Sequence, residues 1–133
     1  MSGESTHHIR LVETLERHVR RVHVPPRGLL LLVDHDRYGK DRPHRCGGYC
    51  PDLFASDLPT TFEVIGEAKT SSDIERPRSH RQIAGFLEHL SFQREGYLYV
   101  CVPHPTVARA RTIIGRIRRP EHASVRVEVI SGE

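Results

Sequence analysis

Apolar residues recur three to four positions apart over residues 5–22, at Ile9, Val12, Leu15, Val19 and Val22. That spacing puts them on one stripe of an amphipathic helix, which Pro25, Pro26 and Gly28 end. The next segment, GLLLLVD (28–34), is a continuous apolar run of strand length and predicts a buried strand. Residues 35–48 are polar, charged and punctuated by three glycines, the signature of a long loop. PDLFAS and TTFEVIGEAKT, separated by DLP, predict an antiparallel hairpin turning near Leu58 to Thr61. A second helix follows over 78–94, with Ile83, Phe86, Leu87 and Leu90 as its apolar stripe and Pro77 at its start. YLYVCVP (97–103) reads as another buried strand. PTVARARTIIGRIRR reads as a helix with Val107, Ala110, Ile113, Ile114 and Ile117 inward, and SVRVEVIS alternates as a half-exposed final strand. The order is helix, three strands, helix, strand, helix, strand, and it predicts one α/β domain over residues 1–133.

Composition agrees with a single globular unit: 133 residues, 37% hydrophobic and 28% charged. No segment reaches the roughly 18 apolar residues of a membrane span. MSGESTHHIR has no basic region followed by an apolar stretch, and the three cysteines suit a reducing compartment, so the expected location is the cytoplasm. The net charge of +3 and a pI near 9.0 favour a polyanionic partner. The positive charge is almost all arginine, 18 Arg against the two lysines Lys40 and Lys69. Lysine is a compact charge whose protonation can shift, so a lysine kept in an arginine-rich chain is a candidate for chemistry.

The hairpin supplies the main candidate site. Its turn sets Asp52 almost opposite Glu67, and residues two apart on a strand share a face, so Asp52, Glu67 and Lys69 form one cluster. Charges gathered inside a fold cost solvation energy and need mutual pairing, a metal or a chemical role. A cross-strand ion pair at a sheet edge is the plain structural reading; a metal-dependent site is the chemical one, and the context favours it.

Pro51-Asp52 at the start of one strand and Glu67-Ala68-Lys69 at the end of the next resemble the PD-(D/E)XK nuclease superfamily. The element order over 5–103, about three quarters of the chain, is similar to that superfamily's restriction-endonuclease-like α-β-β-β-α-β core, here with an additional C-terminal helix and strand. The resemblance implies an endonuclease that hydrolyses phosphodiester bonds in DNA with Mg²⁺ or Mn²⁺. Asp52, Glu67 and the carbonyl of Ala68 would be metal ligands, and Lys69 would position the attacking water. It also implies a further acid from the first helix, for which Glu16 lies nearer the apolar face than Glu13, and a glutamine on the second helix, Gln82. Hard carboxylate oxygens suit Mg²⁺ on chemical grounds as well.

Other residues refine the picture. Arg37, Lys40, Arg42 and Arg45 make the 35–48 loop the expected nucleic-acid clamp, with Arg81 beside Gln82. Arg109, Arg111, Arg116, Arg118 and Arg119 read as a solvated face of the last helix. His44, Cys46 and Cys50 in HRCGGYC lack the four paired ligands of a structural zinc site. Duplex or branched DNA is the expected partner, with no membrane association. Cutting two strands with one small site suggests a homodimer. The alternative is a non-cleaving nucleic-acid-binding module, or a subunit of a larger restriction, defence or transposition assembly.

Overall fold

A computed structural model describes residues 6–34 and 42–132. Three helices, α1 (Thr6–Val22), α2 (Pro77–Ser91) and α3 (Val107–Ile117), flank a five-stranded sheet. The strands are β1 (Leu30–Val33), β2 (Leu53–Ser56), β3 (Glu63–Ala68), β4 (Gly96–Pro103) and β5 (Arg126–Gly132). They lie in the order β1-β2-β3-β4-β5. The first three pair antiparallel, whereas β3, β4 and β5 run parallel and are joined by α2 and α3. Parallel neighbours need such crossovers, and each helix then covers a sheet face.

Strand alternation divides the core between the two faces. Leu53, Ala55, Val64, Tyr99 and Cys101 pack against the α1 stripe of Leu11, Val12, Leu15 and Val19. Phe54, Ile65, Leu98, Val100 and Val102 pack on the other face against α2 and α3, through residues such as Ile83, Phe86, Leu87, Ile113 and Ile114. Among the described residues no helix is long and apolar enough to cross a membrane.

The elements come in the expected order, with three local differences. β1 is an edge strand rather than a buried one: Leu30 is exposed and only Val33 is fully covered. α2 stops at Ser91, because the N–H groups of Phe92 and Gln93 close the last turn on His89 and Leu90. The last helix starts at Val107, after a 3₁₀ turn over His104–Thr106.

The stretch expected as one long loop is partly built. Cys46 and Tyr49 pair across a turn formed by Gly47 and Gly48, both at positive φ. A Cβ on Gly47 would come within 2.0 Å of the Gly85 carbonyl oxygen, so the turn rests directly on the backbone of α2. Tyr49 packs edge-on to Phe86, and the Arg78 guanidinium lies 5.6 Å from the Tyr49 ring centroid. This turn fixes the chain that leads through Pro51 into β2. Arg37 and Lys40 lie outside the described residues.

Candidate active site

The β2–β3 register pairs Leu53 with Gly66, which carries Asp52 opposite Glu67 one step beyond. The turn closing this hairpin is held by Asp57, whose carboxylate accepts the N–H groups of Thr61 and Phe62 at 2.7 and 3.1 Å. At the other end the two acids hold each other's backbone. The Asp52 N–H donates to Glu67 Oε1 at 3.1 Å, and the Ala68 N–H donates to Asp52 Oδ2 at 2.8 Å. The side chains of Asp52 and Glu67 are thereby fixed by the strand pairing itself.

Lys69 extends the β3–β4 ladder by donating its N–H to the Cys101 carbonyl at 3.0 Å. Its ammonium lies 3.2 Å from Glu67 Oε2 and donates to Gln82 Oε1 at 2.5 Å. Gln82 sits in the second turn of α2, and Pro77 at the first helical position sets where that helix begins. Four side chains from β2, β3 and α2 therefore meet: Asp52, Glu67, Lys69 and Gln82. Arg81, which precedes Gln82 on α2, is exposed.

Burial raises the Glu67 carboxyl well above the usual carboxylate range, and the Asp52 charge adds to the rise, while Lys69 opposes it. The Cys50 thiol is also pushed up, by burial first and then by Asp34, Asp52 and Glu67. Both shifts come first from burial, and neighbouring carboxylates where β1 and β2 meet the end of β3 add to them.

Two further residues belong here, one of which, His8, sequence reasoning did not single out. His8, in the first turns of α1, places Nε2 3.4 Å from Asp52 Oδ1. It lies four residues before Val12, so continuing the α1 stripe backwards would have found it. Asp34, at the end of β1, donates its N–H to the Asp52 carbonyl at 2.8 Å and pairs its side chain with Arg42 at 3.5 Å.

Glu16 is not brought to this cluster. It stands eight residues beyond His8, about 12 Å along the helix. Its carboxylate pairs with Arg20 at 3.2 Å. Arg45 turns to the Gly48 carbonyl at 2.9 Å. His44 packs on Phe54, Cys46 is buried, and Cys50 donates to the Pro43 carbonyl, so these three do not converge.

Among the described residues, no three His, Cys, Asp or Glu side chains are arranged to hold a metal ion. A cation here would be held by two carboxylates with a backbone carbonyl and water. Mg²⁺, which keeps several waters and takes one or two carboxylates, suits that donor set. A cation would also relieve the repulsion between Asp52 and Glu67, so the residues present fit the group chemically. Compared with family models, curated proteins and solved structures, the chain has no significant match.

Proposed function

We propose that the protein is a metal-dependent endonuclease that hydrolyses phosphodiester bonds in DNA, built on a restriction-endonuclease-like core of the PD-(D/E)XK kind. The observation that carries this reading is the meeting of Asp52, Glu67 and Lys69 at the paired ends of β2 and β3, with Gln82 closing on the lysine from α2. A plain surface ion pair needs one acid and one base. This cluster instead sets two carboxylates side by side, with Glu67 buried, an arrangement whose mutual repulsion and lost solvation a bound cation would offset.

In this reading Asp52, Glu67 and the Ala68 carbonyl hold Mg²⁺ or Mn²⁺. The bound ion supplies charge neutralisation on the phosphate and a more acidic water. The chain's own residues do the positioning. Hydrogen bonds to the backbone of the opposite strand fix both carboxylates before substrate arrives, and Gln82 holds the Lys69 ammonium where it can orient the attacking water. Arg81, Arg42 and Arg45, together with Arg37 and Lys40, serve in this reading as phosphate contacts. The substrate is duplex or branched DNA, the working form is a homodimer with one site per strand, and the setting is the cytoplasm, which suits three free thiols.

The test is a panel of linear, nicked, branched and single-stranded DNA incubated with Mg²⁺, with Mn²⁺ and with chelator. Cleavage that needs the metal is the expected result. DNA binding without cleavage of any substrate would instead favour the non-cleaving module.

A further inference from the structure

β5 closes one side of the sheet. Among the described residues it pairs only with β4, so its outer edge presents backbone N–H and C=O groups with no strand beside it, except at Val125 just before the strand, whose carbonyl accepts from Arg118 and whose N–H donates to the His122 carbonyl. Such an edge is a template for another strand. Space remains beside it on both faces. A cavity of about 300 Å³ lies on the α3 side, next to Ile114 and Gly115. Another of about 390 Å³ lies on the α1 side, next to Val22 and Tyr97. Val127 and Glu128 border both cavities.

We propose that this edge joins two copies of the chain, β5 against β5, antiparallel and centred on Val127. The inference names the surface of the homodimer and is independent of whether the protein cuts DNA. A two-fold axis perpendicular to the sheet makes the strands antiparallel and keeps every side chain on its own face. Charge then selects the register. Arg126 and Glu128 share the α1 face: the Arg126 guanidinium lies 5.7 Å from the Tyr97 ring centroid, and Glu128 Oε1 lies 3.3 Å from His18 Nε2. Centring the pair on Arg126 or on Glu128 would set like charges directly opposite each other. Centring on Val129 would set Glu128 against Ile130. Centring on Val127 sets Arg126 of each copy against Glu128 of the other, so the favourable pair forms twice.

Sedimentation equilibrium of the full chain, over a concentration series without DNA or metal, tests the interface. The wild type should give twice the 15.2 kDa chain mass. Glu128→Arg replaces both attractions with repulsions and should raise the dimer Kd about tenfold or more, while Arg126→Glu combined with Glu128→Arg should restore it. The Glu128 side chain is 58% exposed, so the variant should fold, and its melting curve checks this. Val127→Cys in a Cys50→Ser background should crosslink to a second copy with a short bis-maleimide. A monomeric wild type, a Glu128→Arg protein as dimeric as the wild type, a double variant that stays monomeric, or no crosslink at position 127 would each overturn the proposal. A failure of the cleavage panel would leave it standing.

Discussion

Lys69 Nζ sits between two elements, 3.2 Å from Glu67 Oε2 on its own strand and 2.5 Å from Gln82 Oε1 on α2. With only 11% of its side chain exposed, the ammonium is held from two sides in one place. Lysine suits such a seat because its charge is a point at the end of a flexible stem, whereas guanidinium is planar and larger.

Lys69→Ala should therefore lower the single-turnover cleavage rate by about 10² to 10⁴, the usual scale of acid–base assistance, while DNA binding and folding survive. Lys69→Arg should fail as well, because the fork of its donors cannot take the same position between Glu67 and Gln82. A Lys69→Arg enzyme at near wild-type rate would show that only the charge matters.

Asp52 and Glu67 give the metal reading its own test. Mn²⁺ soaked into crystals should produce anomalous density between the two carboxylates, and Asp52→Asn should remove it together with cleavage. The amide oxygen of asparagine can still accept the Ala68 N–H that Asp52 Oδ2 accepts, so the fold should persist. Density at His44 and Cys46 instead would put the site elsewhere.

The hairpin cluster was legible because its causes are local. A short turn after β2 and the two-residue period of strands are enough to set Asp52, Glu67 and Lys69 together. The place of Glu16 could not be read for a physical reason. The helical stripe tells which way a side chain points around the axis but not how far along the sheet the helix lies. Val12 and Leu15 orient α1 correctly, yet its first turns, at His8, meet Asp52. A run such as LLLLV likewise looks the same in a central strand and at an edge, so β1's place could not be read from it. The packing of the Gly47 turn on Gly85 is a contact between segments almost forty positions apart, which no local pattern encodes.

Arg37, Lys40, Arg42 and Arg45 can be tested together as phosphate contacts. Neutral replacements should weaken binding about equally for all DNA sequences and flatten the dependence of log K on log salt by up to about one unit per lost contact. Arg42 and Arg45 also pair with Asp34 and the Gly48 carbonyl, so single variants should be checked for stability first. An unchanged salt slope would remove this segment from the interface.

The turn at Gly47 and Gly48 offers a comparison between neighbours that separates backbone strain from steric contact. Both glycines have positive φ, at 61° and 91°, where a side chain is disfavoured by about 1 kcal/mol or more. Beyond that they differ: a Cβ at Gly48 meets nothing within 4 Å, whereas at Gly47 it would lie 2.0 Å from the Gly85 oxygen. That neighbour is backbone in the middle of α2 and cannot rotate away. Gly48→Ala should thus cost only the conformational penalty, while Gly47→Ala should cost a further 1–3 kcal/mol or so, because the turn must lift from the helix. Urea unfolding midpoints of the two variants measure the difference. The lifted turn leads through Pro51 to Asp52, so Gly47→Ala should also lose cleavage activity beyond what its stability explains, when both are compared under conditions where each is folded. Equal midpoints for the two variants would mean that the turn does not rest on α2, and the route by which it holds Asp52 in place would fall with that contact.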